Sequence, residues 1–309
     1  MENQLVKVVR VGWSLLRLIA VLSSSIVVIL SSLLPLVLYS DISVSRFIFT
    51  FLFLSTTAIM FHGMLTHLLN DYTDYKTGTD AESPAILSGG SRVIQNGFLS
   101  PEAVWKLGKW LALVLTVIAA AMAVIGRYDF TFFIVTGIWA AASYSLPPLQ
   151  LSYRPIAGEW LSLFPAMFVL GIAGPWLLLE SIPIWAIQNA FINSLVCMAW
   201  VMIHHIPDVE ADRRAIPKKC TTVVWCKEKF GQKFTRLPAI LYFFIAGICT
   251  IWVGFDRWVA GSLVFLFVVY AMYLVWHVKP DDINQVTTCE KILLLLAMLI
   301  AIALGIFMF

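Results

Sequence analysis

Charge is what this chain has least of. Asp, Glu, Lys and Arg together make up 13% of its 309 residues, about half the share found in a soluble globular domain. Set beside 60% hydrophobic residues and a mean hydropathy of +0.87, that shortage argues against a soluble protein and for a polytopic membrane protein. Cysteine is sparse as well. The five thiols (Cys197, Cys220, Cys226, Cys249, Cys289) include no C-x-x-C pair, which argues against a disulfide framework or a zinc site. A net charge of +3 gives no basis for a nucleic-acid partner, and none is expected. No cleavable signal pattern is expected either: "MENQLVKVVRVGWSLLRL" reads as a short basic, partly amphipathic lead-in to a first helix.

What the chain has in quantity is long apolar runs. A membrane-spanning helix needs about 20 predominantly apolar residues. Nine segments qualify, at 16–39, 47–68, 104–125, 130–147, 159–179, 183–204, 237–255, 258–277 and 291–309. The expected fold is therefore all-α, a single domain over 1–309 in which about nine transmembrane helices surround a central cavity capped by loops. Two connections stand out by length, 69–103 and 206–236. Long loops in compact proteins are commonly functional. Four helices separate these two, so both lie on one membrane face. If the N-terminus is cytoplasmic, only Arg46, Arg127 and Arg257 of the 21 Lys and Arg residues fall outside, leaving 18 within. That asymmetry predicts cytoplasmic loops in a multi-pass protein of the cell membrane.

Both long loops open on acids, in a chain with 18 Asp and Glu residues altogether. In "NDYTDYKTGTD", Asp71 and Asp74 are three apart and share a face if the helix continues, with Asn70 beside them as a neutral oxygen donor. In "HHIPDVEADRR", Asp208 and Asp212 are four apart and share a face too. Carboxylates crowded at a membrane edge repel one another unless a cation joins them. Two opposed oxygen-bearing faces suit Mg2+, which binds a few carboxylates together with substrate phosphates and water. Asp71, Asp74, Asp208 and Asp212 are the predicted metal ligands. Of the two histidines at helical spacing before Asp208, His204 reads as a packing residue and His205 as a pocket residue.

These motifs resemble those of the UbiA-type intramembrane prenyltransferases, over essentially the whole chain. More narrowly, N-D-Y-x-D-x-x-x-G-x-D followed by "LSGGSRVIQNGFLSP", with "YSLPPLQLSYRPIAGEW" further on, is similar to the 1,4-dihydroxy-2-naphthoate prenyltransferases of menaquinone synthesis. The resemblance implies two Asp-rich motifs after helices 2 and 6 that hold magnesium and a polyprenyl diphosphate. It assigns Asn70, Asp71, Asp74, Asp208 and Asp212 to metal and diphosphate, Asp80 to a third acidic position, and Arg92 to the substrate. The sequence departs from that branch at His205, where Asn is usual, and in "AIPKKCTTVVW", which replaces a Gly-Lys-Arg-Thr stretch. The Ile-Pro-Asp form is also similar to carotenoid-prenylating and terpene-cyclising members.

Among possible helpers, Arg154, Arg213, Lys218 and Lys219 lie on the same face. Arg92 is the strongest because "GGS" before it frees the backbone to approach an anion. Tyr144 and Tyr153 can offer ring faces to an allylic cation. Glu159 reads equally as a snorkelling residue or a substrate-orienting one, and Asn189 and Asn193 as interhelical hydrogen bonders. The expected activity is magnesium-dependent transfer of a polyprenyl group from its diphosphate to an aromatic or isoprenoid acceptor, with membrane lipid as the surroundings. The main rival, a transporter, would carry its ionisable residues near the bilayer midplane, whereas these acids gather at one face.

Overall fold

The computed structural model of the chain describes residues 21–84, 88 and 90–308. The N-terminal lead-in, the first residues of segment 16–39, Leu87 and Gly89 of the Gly-Gly stretch, and the Glu82 side chain lie outside the described residues. The described chain is helical, with no strand among the described residues. Its long helices are α1 (Leu22–Tyr39), α2 (Val44–Thr77), α3 (Pro101–Val124), α4 (Tyr128–Ser145), α5 (Glu159–Leu179) and α6 (Ile184–His204). Two short helices follow, α7 (Val209–Arg214) and α8 (Thr222–Phe230), and then α9 (Gln232–Asp256), α10 (Trp258–His277) and α11 (Ile283–Ile306). Among the described residues, eight of these are long and apolar enough to cross a membrane. The expected ninth, segment 130–147, forms α4, which begins on Tyr128 and Asp129, ends on Ser143, Tyr144 and Ser145, and packs against α2, α3 and α5.

Local chemistry sets the helix ends. Ser100 caps α3 by accepting a hydrogen bond from the Ala103 N–H at 3.2 Å, with Pro101 in the first turn. Asp282 caps α11 through Asn284 and Gln285, both at 3.1 Å. The apolar surface is inverted relative to a soluble protein: Trp110, Val117, Phe255, Trp258, Leu266 and Trp276 all point outward. Such a band suits hydrocarbon, where backbone groups are satisfied inside each helix. This is a multi-pass integral membrane protein.

Helix α6 runs through the interior, packed against α1, α5, α9 and α11. Close approach depends on small residues, as in other membrane bundles: a Cβ at Gly171 of α5 would meet the Ala190 Cα of α6 at 2.9 Å. The expected hydrogen bonders appear here. Asn189 donates to Leu304 O at 3.0 Å and Asn193 to Ser31 Oγ at 3.2 Å. Arg257, expected in an outer loop, lies in the connection between α9 and α10, with its side chain drawn inside at 2% exposure. Its guanidinium donates to Gln188 Oε1 at 2.8 Å, Asn189 Oδ1 at 2.9 Å and Leu304 O at 3.2 Å, while Nε is left without a partner.

The cavity is lined by α1, α2, α4, α5 and α6, while α9, α10 and α11 pack behind α6 as a solid half. Three stretches of wide i→i+5 turn interrupt the α geometry, at Leu22–Ile26, Ile59–Thr66 and Glu159–Leu163. Each contributes to the cavity wall, through Ser25, through Phe61 and His62, and through Ser162. Wide turns of this kind often mark functional positions.

Candidate active site

The first acidic cluster sits on helix rather than in a loop. Helix α2 continues past its apolar run to Thr77 and stops at Gly78, whose φ of 81° suits glycine. Asn70, Asp71 and Asp74 therefore occupy its last turns, and Asp80 follows on the single turn Thr79–Glu82. The second cluster begins where α6 ends, with Asp208 preceding α7 and Asp212 within it. A backbone hydrogen bond from Ile216 N to Thr77 O at 2.9 Å ties the second loop to the end of α2. The two clusters thus reach the same end of the bundle.

Lys219 joins them. Its Nζ lies 2.8 Å from Asp74 Oδ2 and 3.7 Å from Asp212 Oδ1, and its backbone N–H donates to Asp212 O at 3.0 Å. Burial alone would discharge the ammonium, but Asp74 and Asp212 outweigh it and hold the Lys219 pKa well above the usual lysine value. Asp74 also accepts from Asn70 Nδ2 at 2.9 Å and from the Tyr153 hydroxyl at 3.2 Å. Asp71 is taken up by the first loop: the Ser91 N–H donates to it at 3.1 Å, and the Ser91 hydroxyl makes a further short contact. Gly90 is wedged between acids, since a Cβ there would lie 2.8 Å from Asp80 Oδ2 and 3.0 Å from Asp71 Oδ1. Gln95 donates to Asp80 at 3.1 Å, and the Ser83 hydroxyl to Asp208.

The acids are under electrostatic pressure. Burial, with Asp74 and Asp71 as neighbours, pushes the Asp80 carboxyl up to about 8. Burial likewise raises Asp208 and raises Asp212 well above the ordinary range, Lys219 only partly offsetting it at Asp212. Both Asp212 carboxylate oxygens are buried without a hydrogen-bond partner, an expensive state unless a cation is to be met there. These features fit a hard divalent ion. Among the described residues, however, no three His, Cys, Asp or Glu side chains converge as a ready-made cage. The carboxylates form two half-sites with an ammonium between them, so added oxygen ligands would have to complete the shell.

Beneath this polar mouth the cavity, of about 260 Å³, turns apolar. Asn70, Asp74, Asp80, Asp208, Asp212 and Lys219 line its mouth; Phe53, Leu54, Phe61, Phe130, Phe133 and Leu170 line its depth. Phe53 and Asp74 stand 21 residues apart on α2, about 30 Å of helical rise. The site can therefore hold an anionic head among acids and cations with a long apolar tail below it.

The other expected residues divide. Tyr144 and His205 line the cavity and lie 3.3 Å apart, Tyr144 Oη to His205 Nε2, with His205 Nδ1 at 3.9 Å from Asp212. Asp71 stands just behind the lining, covered by Ser91. Lys218 does not reach the site: it is 44% exposed and pairs with Glu228 at 2.6 Å. The buried cation is its neighbour, and on an extended segment adjacent side chains point to opposite sides. Arg154 is exposed and donates to Pro148 O at 3.3 Å, bordering only a small side pocket beside Glu159. Arg92 adopts a φ of 62° and turns its guanidinium to Ser83 O, holding the loop instead of lining the cavity. Glu159 is buried and accepts from Thr222 at 2.6 Å. His204, expected to be a packing residue, lines the cavity and bonds through Nδ1 to Glu290 of α11, a carboxylate that no motif marked.

The model of the UbiA prenyltransferase family matches residues 25–300. Two solved structures share the fold, both of a UbiA homolog from Archaeoglobus fulgidus. The one bound to GPP and Mg2+ is 17% identical with a TM-score of 0.65, over 95% of this chain and 99% of that one. The second is 16% identical with a TM-score of 0.59, over 94% and 98%. No curated protein matches the sequence.

Proposed function

The chain belongs to the UbiA prenyltransferase family, and on that premise we propose that it transfers a polyprenyl group from its diphosphate to an acceptor inside the membrane, with Mg2+ as cofactor. The acceptor we assign is an aromatic quinone precursor, as in menaquinone or related prenylquinone synthesis. The observation that carries this reading is the cavity itself, polar and doubly acidic at one end and Phe-lined at the other. A diphosphate needs cations at its head, and a prenyl tail needs a dry apolar slot. The A. fulgidus homolog's complex with GPP and Mg2+ supports the same pairing here.

Asp74, Asp80, Asp208 and Asp212 would hold the metal, with Asp71 entering once Ser91 releases it. When bound, Mg2+ neutralises the charge that develops on the departing diphosphate. Lys219 adds a fixed positive charge at the same place, already oriented by Asp74 and Asp212 and so ready before the bond breaks. The Tyr144 ring at the cavity wall can face the allylic cation. The Phe-lined walls keep out water that would otherwise capture that cation. We place the acidic mouth on the cytoplasmic side, from the distribution of Lys and Arg among the loops.

The test is incubation of purified protein with geranyl diphosphate, Mg2+ and 1,4-dihydroxy-2-naphthoate, followed by mass spectrometry. A prenylated naphthalene, formed only with metal, is the expected product. A cyclised terpene formed without acceptor would assign the chain to the cyclase branch, and no diphosphate release under any condition would end the prenyl-transfer reading.

A further inference from the structure

Electrophilic prenylation at a ring carbon that carries hydrogen leaves a proton to be disposed of, and the acids at the mouth are poorly placed to take it. Asp74 is held by Lys219, Asn70 and Tyr153, Asp71 is covered by Ser91, and Asp80, Asp208 and Asp212 line the mouth. A different group stands on the cavity wall. His204 ends α6, and a turn over 205–208 carries the chain on to Asp208. Its ring lines the cavity and stacks on Trp200, centroids 5.0 Å apart at 21°.

Behind the ring lies Glu290, fully buried at 0% exposure. Its Oε1 is in short contact with His204 Nδ1, and the Trp200 indole N–H fixes the same residue by donating to Glu290 O at 3.2 Å. The remaining oxygen, Oε2, is buried and has no hydrogen-bond partner. Burying a carboxylate costs several kcal/mol unless its charge is used. A purely packing role would be served as well by an amide. A carboxylate on Nδ1 fixes the imidazole tautomer and stabilises the ring once it is protonated, as the aspartate does in a Ser-His-Asp triad.

We propose that His204, oriented by Glu290, is the general base that removes the proton released after prenyl transfer. The assignment rests on the prenyl-transfer reading above. The C1–O bond of the prenyl diphosphate breaks and its electron pair leaves with diphosphate. A π pair of the acceptor forms the new C–C bond. The C–H bond at that carbon then breaks, its pair restores the ring, and the proton passes to His204 Nε2. The resulting imidazolium stands beside the Glu290 carboxylate as a neutral pair. His204 is then a catalytic residue and Glu290 a positioning residue. Without an acceptor, the same base takes a proton from a carbon next to the allylic cation, and that C–H pair becomes a new double bond.

This acceptor-free branch gives the test. Purified full-length protein is incubated with geranyl diphosphate and Mg2+ alone, and three products are measured: diphosphate, the acyclic triene formed by proton loss, and geraniol formed by water capture. The wild type is expected to give triene. His204→Gln and Glu290→Gln should lower the triene-to-alcohol ratio, read per molecule ionised, by about a hundredfold, the low end of what a lost general base costs. Glu290→Asp should restore part of the ratio, which a packing role for the carboxylate would not do. Should Glu290→Gln fold poorly, His204→Gln at the cavity wall carries the comparison alone. A wild type that releases diphosphate but yields only alcohol, or variants with an unchanged ratio, overturns the base while leaving prenyl transfer standing. A wild type that releases no diphosphate overturns both.

Discussion

Replacing Lys219 by Gln removes the charge that holds the two acidic clusters together. At 2.8 Å from Asp74, the gross attraction is about 6 kcal/mol at an effective dielectric near 20. Much of that only offsets the cost of dehydrating the ammonium. What remains after truncation is the penalty of buried acids left facing one another, about 3 kcal/mol for a broken buried pair. The pH dependence follows from which groups titrate. The Lys219 pKa is raised by folding, so its stabilisation is complete throughout the neutral range and is lost only as pH climbs through that elevated value. Asp80, at about 8, and Asp212, also raised, bind protons more tightly in the folded state; their neutral forms favour folding, and this support fades as pH rises toward 8. Lys219 lowers both, so its removal lifts them further. The variant should therefore lose little at pH 5, where the acids take up protons, and most at pH 8. In the metal-free wild type the ammonium competes with Mg2+ for the carboxylates, so the variant should bind Mg2+ alone about tenfold more tightly and recover stability on loading. Thermal unfolding in detergent, followed by tryptophan fluorescence at both pH values, and calorimetric Mg2+ titration measure these effects. Wild-type stability at pH 8 together with unchanged Mg2+ affinity would refute the account of Lys219 as an internal counter-ion.

Other outcomes follow from the same geometry. Asp71→Asn and Asp208→Asn should each remove most turnover, by several kcal/mol of transition-state stabilisation, while far-UV circular dichroism in detergent shows an intact fold; full turnover at saturating Mg2+ would contradict it. Binding of a non-hydrolysable prenyl diphosphate analogue with Mg2+ should tighten from pH 6.5 to 8.5 with release of protons, because metal must displace the Asp80 proton held to about 8; calorimetry in buffers of different ionisation enthalpy detects it. Single cysteines at Gly97 and Lys229, in a background without native thiols, should be labelled from the same side of sealed vesicles. Arg257→Met should destabilise by about 2 kcal/mol or more, since it strands the buried Gln188 and Asn189 oxygens; an unchanged thermal midpoint would count against that network.

Much of this was legible beforehand. Segment lengths follow from bilayer thickness, and spacings of three and four residues follow from helix geometry, so the helices and the two Asp pairs could be placed directly. Other features were hidden for physical reasons. Lys218 and Lys219 are equivalent as letters, and only the path of the chain after α7 decides which one turns inward. Glu290 escapes a reading by apolar runs because the last such run starts at 291, whereas α11 starts eight residues earlier at Ile283, bringing the carboxylate inside the bundle. His204 looked like packing because its partner is 86 residues away. Arg257 looked like a surface charge because its partners are neutral amides of α6, which carry no charge pattern to search for.

The wide-turn stretch Ile59–Thr66 in α2 has a consequence for how this helix can vary. In a regular α-helix each residue turns the axis by about 100°, and a wide turn accommodates an extra residue without lengthening the hydrogen-bonded path in proportion. Everything beyond such a stretch is rotated relative to everything before it. Phe53 and Asp74 face one cavity from opposite ends of α2, and their alignment depends on the phase set between them. Deletion of Gly63 alone would preserve every side chain of the acidic motif and every apolar side chain of the span, yet swing the carboxylates around the helix. Motif and membrane segment are thus separate cassettes, kept in phase by eight residues that carry no signature of their own.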